Sequence, residues 1–283
     1  AKFLKFLGQS TPIHHSFLHE YIERNGYGLE ELTIAHAWLQ DTLKFIFPNS
    51  RYQGISFEIE KSQGFQTATK SLLTFFNTGI SNVRRFPIPK EAVELPRTIV
   101  ADILSKSKPD TSLCIASYDN CSVYFFDTDS KGTTKIYKQK TIHESKQIGN
   151  VIFEMDEESD GSVRVLDFIP MLIDLRLNDS VYLIDEIDRS MHPLLSQKVL
   201  EYYYEHLDSD TDTQLIFTTH EANLPNLDPG RACEVWVVVK DANGASQFTS
   251  LAEYKPREDV RKGYLQGRYG AIPFFPPIKS LKW

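Results

Sequence analysis

Two adjacent carboxylates, Asp185 and Glu186, close the apolar run Val181-Tyr182-Leu183-Ile184 and open onto Ile187-Asp188-Arg189-Ser190-Met191-His192-Pro193. An apolar strand ending in acids at the carboxyl edge of a parallel sheet can set one carboxylate beside a magnesium ion and the next beside an attacking water. That is the chemistry of nucleotide phosphate hydrolysis. Asp185 suits the ion, held through its water shell, and Glu186 suits the water. Taken alone, the pair also matches an ordinary charged turn after a strand.

Two further groups bear on the same chemistry. His220 stands just past a second apolar run, Leu215-Ile216-Phe217-Thr218-Thr219, where an imidazole can reach a terminal phosphate or the attacking water. Taken alone, a histidine there is more often a surface or capping residue. Upstream, Glu158-Ser159-Asp160-Gly161-Ser162 precedes a long apolar segment. Ser159 can cap a helix there, Gly161 permits close backbone approach, and the free N–H groups of a helix start attract anions. A plain cap and turn has the same composition.

These residues need elements to hold them. Ser162 to Leu177 suits a long buried helix, Ser180 to Ile184 a strand, Pro193 to His206 a helix and Gln214 to Thr219 another strand, and this alternation points to an α/β core with parallel strands. Cys233 to Lys240 and Ser246 to Leu251 read as a hairpin turning at Asn243-Gly244. Earlier, Ile13 to Phe47 has helix-compatible apolar spacing up to Pro48-Asn49-Ser50, Arg51 to Glu60 reads as a short strand, and Gly64 to Asn77 and Glu91 to Lys106 read as helices separated by Phe86-Pro87-Ile88-Pro89. Ser112 to Tyr137 is rich in β-branched and aromatic residues, with turns at Asp119-Asn120 and Ser130-Lys131-Gly132, and predicts antiparallel strands; Val151 to Met155 adds one more. The expected organisation is a mainly helical part over 1–110, an antiparallel β segment over 111–155 and an α/β core over 156–283.

In this order the three groups resemble the ABC-class P-loop ATPases, in which a signature serine and glycine precede the Walker B strand and a switch histidine follows it. More narrowly, Asp185 to Pro193, Thr218-Thr219-His220-Glu221 and Gly263 to Pro273 look like the bacterial RloA-like AAA-family ATPases, and Trp38 to Leu43 followed by Phe47 to Ser50 also fits that group. The resemblance implies an α/β P-loop NTPase core with a helical insertion and an antiparallel β segment, and ATP and Mg2+ as cofactors. It makes Asp185 the metal acid, Glu186 the general base and His220 the switch. Ser159 and Gly161 become the signature that meets the phosphate held by an opposing subunit, and Asp188 falls near the loop that communicates across that dimer. It further implies a homo-oligomer through the ATPase heads, an effector protein such as a nuclease, and a role in anti-phage defence.

One part of that family pattern is missing. No Gly-x-x-x-x-Gly-Lys-Ser/Thr occurs; the nearest stretch, Lys131-Gly132-Thr133-Thr134-Lys135, lacks the first glycine and the required order. The expectation is that the chain is the carboxyl-terminal portion of a longer ATPase and is inactive alone.

Composition fits a globular protein with a sizeable core. A net charge of -7 argues against a broadly basic nucleic-acid surface, so any DNA contact would be local. Cys114, Cys121 and Cys233 form neither a metal-ligand pair nor an even disulfide set, which favours a reducing cytoplasm. No apolar run approaches the roughly 20 residues that span a bilayer, and the amino-terminal run Ala1 to Gly8 is too short and lysine-interrupted for a secretory signal. Arg261 to Gly270 mixes arginine, tyrosine and glycine and reads either as an anion contact or as a packed turn. The competing functions are a nucleotide-independent scaffold on a degenerate ATPase fold, a DNA-repair ATPase of the SMC/RecF type, and a metal nuclease using Asp185 and Glu186, which would need further carboxylates converging there.

Overall fold

The structure is a computed structural model that describes residues 5–6, 10–24, 29–117, 121–207, 211–222, 224, 229–241, 243–254 and 260–270. The turn expected at Asp119-Asn120 and the end of the late motif, Ala271-Ile272-Pro273, lie outside them, as does most of Ala1 to Gly8.

The first full helix is α1 (Phe17–Glu23), capped by the Ser16 hydroxyl; α2 (Glu30–Ala37) follows and widens into a π-helical turn, Trp38–Thr42. That turn runs straight into β1 (Leu43–Ile46). The helix expected to reach Phe47 therefore stops at Thr42, because Leu43 to Ile46 find a parallel partner strand and pairing outweighs local spacing. The strand expected over Arg51 to Glu60 is instead a loop and α3 (Ile55–Lys61), with Ile55 and Ile59, four apart, both buried on one face. Next come α4 (Gln63–Phe75), β2 (Ile80–Pro87) and α5 (Arg97–Lys106). Pro96 restricts Leu95 against the helical region and cuts the helix expected from Glu91 down to this shorter one.

The strands β3 (Thr111–Ala116), β4 (Val123–Thr128), β5 (Thr134–Ser145) and β6 (Gly149–Phe153) follow as expected antiparallel segments. Then α6 (Asp160–Leu177), β7 (Val181–Ile184), α7 (Pro193–Glu205) and β8 (Gln214–Phe217) alternate. The hairpin β9 (Trp236–Lys240) and β10 (Ser246–Ser250) and the short α8 (Val260–Leu265) complete the described chain.

Three sheets result. The first is parallel, in the order β1-β7-β8, with Ile46 opposite Ile184 and Ile184 opposite Phe217. The second is antiparallel, in the order β2-β5-β4-β3, and β5 is long enough to fork: its first half pairs with β4 and its second half, Thr141 to Ser145, pairs with β6. The third is the β9-β10 hairpin. Two strands of the first 110 residues thus belong to sheets completed farther along, β1 with β7 and β2 with β5.

One core joins the parallel sheet to the antiparallel one. The central helix α6 buries residues around most of its circumference, among them Val163, Phe168, Ile169 and Leu172, as a helix covered on several sides must. It packs with Tyr182 and Ile184 of β7, Val199 and Leu200 of α7, Leu72 and Leu73 of α4, and Val83 of β2. A smaller core lies between α5 and the antiparallel sheet, around Val100, Ile103, Tyr124 and Phe126. The late Arg261 to Gly270 segment is α8 followed by a turn: Tyr269 is buried beside Val260, and a Cβ added to Gly263 would lie 2.4 Å from the Tyr269 hydroxyl oxygen, so a larger residue there would displace the tyrosine.

The parallel sheet joins the main core through one face, and part of its other face is exposed among the described residues. Tyr182, Ile184, Leu215 and Phe217 point into the core. Phe45, Leu183 and Ile216, which stand opposite one another across the three strands, form an apolar row on the other face, and Phe45 and Ile216 are each 51% exposed. The row continues to Phe47, whose ring stacks on that of Phe45. Among the described residues β8 pairs only with β7, and β9 only with β10.

Candidate functional site

Asp185 and Glu186 sit at the carboxyl edge of β7, the central strand of the parallel sheet. The Asp185 amide donates to the Ile46 carbonyl of β1 (2.9 Å), and the Ile187 amide donates to the Thr218 carbonyl past β8 (3.0 Å). The turn is thereby fixed on both sides by its neighbours. Ile187 is fully buried and Met191 nearly so, pinning the loop into the core while Asp185 and Glu186, just before it, stay partly accessible.

Glu186 has a left-handed backbone (φ +52), as does Ser190 (φ +62). This conformation is uncommon for residues with a side chain. Here the Arg189 amide donates to the Glu186 carbonyl (3.0 Å) and the Glu186 amide donates to the Thr218 hydroxyl (2.8 Å). The Glu186 carboxylate then lies 3.6 Å from His220 Nε2 and 3.6 Å from Arg189 Nη1. Both are longer than direct hydrogen bonds. His220 is 85% exposed and Glu186 37%, so the pair opens to solvent.

Asp185 receives a hydrogen bond of 2.7 Å on Oδ1 from the Thr218 hydroxyl. An ionised carboxylate keeps acceptor capacity beyond one such bond. Among the described residues no group of three His, Cys, Asp or Glu could hold a metal. A Mg2+ carried by nucleotide phosphates needs only one or two protein carboxylates and keeps much of its water, so Asp185 fits that ion. A resident metal cage or the converging carboxylates of a metal nuclease do not fit these residues.

Ser159 caps α6, accepting from the Ser162 amide at 3.1 Å. Gly161 in the first turn faces the Ser190 carbonyl, which a Cβ would meet at 3.3 Å. The helix start is therefore brought against the same loop that carries Asp185 and Glu186. Just before it, the buried Glu158 carboxylate bonds to His143 (2.7 Å) and to the Thr141 hydroxyl, tying the approach to α6 onto β5. Asp188 also lies in the loop, and its Oδ1 is buried with no hydrogen-bond partner among the described residues. His192, within the acid-to-proline motif, caps α7: its Nδ1 accepts from the Leu194 amide at 3.2 Å, and Pro193 occupies the first helical position.

Sequence reasoning did not single out Thr218, although a hydroxyl residue just past an apolar run was the available signal. It also passed over Arg164, a buried cation on α6. Burial pushes that guanidinium below its ordinary range, Asp167 opposes the shift, and Nη1 donates to the Ser50 carbonyl at 3.4 Å.

Residues 127–224 match the family model described as "AAA domain, putative AbiEii toxin, Type IV TA system". The matched segment runs from β4 past β8 and includes Ser159, Gly161, Asp185, Glu186, Asp188 and His220. It supports a P-loop, AAA-type ATPase fold for this part of the chain. No curated protein matches the sequence.

Proposed function

We propose that the chain is part of an ABC-class ATPase that binds ATP with Mg2+ and hydrolyses it between two heads meeting face to face. The carrying observation is the turn after β7: two acids at the carboxyl edge of the central parallel strand, with Thr218 and His220 beside them on the neighbouring segment. In this reading Asp185 holds the ion through its water shell, and Glu186 orients the attacking water and takes its proton. His220, within reach of the Glu186 carboxylate, touches the terminal phosphate. Ser159, Gly161 and the start of α6 supply N–H donors to the phosphate of the opposing head, and Asp188 lies near the communicating loop. The ion, when bound with the nucleotide, offsets the charge that develops on the phosphate oxygens.

The phosphate-cradling loop is not among these 283 residues, and the reading requires it from elsewhere. The row Phe45, Leu183 and Ile216, uncovered among the described residues, together with the edge of β8 that none of them pairs, supports a further strand and an apolar covering element at this sheet. The work of the cycle would be passed to an effector protein such as a nuclease in anti-phage defence. No helix among the described residues is long and apolar enough to cross a membrane.

Calorimetry with ATP and Mg2+ tests this reading on two samples, the 283-residue chain and the product of its complete native reading frame. Binding by the longer protein and not by the chain alone is the expected result. Binding by neither would replace the ATPase with a nucleotide-independent scaffold.

A further inference from the structure

We propose that Thr218 is the positioning residue of this site, a single hydroxyl that sets both the Asp185 carboxylate and the Glu186 backbone. The inference rests on the reading of Asp185 and Glu186 as the metal acid and the base.

Thr218 stands one residue past β8 and makes four hydrogen bonds to the segment 184–187. Its amide donates to the Ile184 carbonyl (2.9 Å), and its carbonyl accepts from the Ile187 amide (3.0 Å). Its hydroxyl accepts from the Glu186 amide (2.8 Å) and donates to Asp185 Oδ1 (2.7 Å). The direction of the last two bonds is forced. An amide only donates and an ionised carboxylate only accepts, so the one hydroxyl proton must point at Asp185.

This arrangement has two effects. The Asp185 side chain is held in one orientation, with one oxygen engaged and acceptor capacity left for an ion's water shell. The Glu186 amide, which the left-handed turn takes out of the sheet ladder, is satisfied by a side chain instead of being left orphaned. The same turn brings the Glu186 carboxylate beside His220 and Arg189. One hydroxyl therefore couples the placement of the two acids. Valine has the same shape but no hydroxyl. Serine keeps the hydroxyl but lacks the β-methyl that stiffens χ1.

Two measurements test this. In the 283-residue chain, amide hydrogen exchange at Glu186 should be slow, faster by about tenfold or more in Thr218→Val, and slow again in Thr218→Ser, a range in keeping with loss of one hydrogen bond. A Glu186 amide unprotected in the native sequence, or equally protected in Thr218→Val, would overturn the proposal.

In the full-reading-frame protein, Thr218→Val should raise the Mg2+ concentration for half-maximal ATP turnover by about 10- to 100-fold, the usual range for losing a partner of a ligating carboxylate. Metal-free ATP affinity should stay unchanged, and Thr218→Ser should recover most of the effect. Unaltered metal dependence, or equal loss of metal-free ATP binding in both variants, would overturn it. A Glu186→Gln protein that still turns over ATP would instead overturn the assignment of the base and leave the exchange result standing, so the two failures are distinguishable.

Discussion

Glu186 combines an uncommon backbone with the most chemically suggestive position in the chain. A left-handed residue with a Cβ costs on the order of 1 kcal/mol or more relative to glycine, and at φ +52 it is held by hydrogen bonds to Thr218 and from Arg189. Glu186→Gln should preserve the turn, because its shape and backbone needs are the same, while lowering ATP turnover of the full-reading-frame protein by about 10²- to 10⁴-fold, the span expected for loss of a general base. Single-turnover assays with retained ATP binding would check it. Gly161 carries a second prediction: in Gly161→Ala the new methyl carbon meets the Ser190 carbonyl at 3.3 Å. The loop must give by a few tenths of an ångström, so activity should fall more than stability, which paired turnover and denaturation curves would show. Asp185, Glu186 and His220 could be read from the sequence because each rides at the end of an apolar run. The position of Thr218 at the end of such a run was equally visible, but its bonds are to a turn more than thirty residues away in the chain, and no local pattern shows those.

The helix α6 links the candidate site to the rest of the fold at both of its ends. At its start, Ser159→Ala removes the cap and should cost about 1 kcal/mol in denaturant unfolding. Toward its other end, Asp174 accepts hydrogen bonds from Lys44 of β1 (2.5 Å), Tyr182 of β7 (2.9 Å) and Asn178 (2.9 Å). Burial pushes that carboxyl up, but these bonds outweigh it and hold it below its ordinary value of 3.8. Because the folded-state value is depressed, the associated stability is present above about pH 4 and is lost as pH falls through the folded value. Asp174→Asn should therefore lower stability at neutral pH, by about 1–3 kcal/mol, and flatten the acid limb of the stability profile measured by thermal melts. The central α/β alternation was legible because α6, β7, α7 and β8 each keep one periodicity over their length. The strand β1 was not, since Leu43 to Ile46 continue a helix-compatible spacing and only the parallel pairing with β7 makes them a strand. Likewise α3 was read as a strand because its β-branched and aromatic content masked the four-residue spacing of Ile55 and Ile59.

Across the whole molecule, β5 and α6 do most of the joining: β5 forks between β4 and β6, and α6 fills the space between two sheets. The three-part division expected along the chain followed local helix and strand patterns, and strand pairing links β1 to β7 and β2 to β5 across its boundaries. A local pattern does not show which distant strand completes a sheet. The uncovered row of Phe45, Leu183 and Ile216 beside an open strand edge has a practical outcome for anyone handling this chain in isolation. Unpaired edges next to apolar surface invite copies to stack edge to edge, and what opposes them is the mutual repulsion of molecules carrying a net charge of -7. Colloidal behaviour should thus turn on ionic strength and acidity: light scattering from the isolated chain should grow as salt screens that repulsion and peak near its isoelectric point of about 5.7. Ile216→Thr, which keeps a β-branched residue on the strand but makes it polar, should move that onset to higher salt.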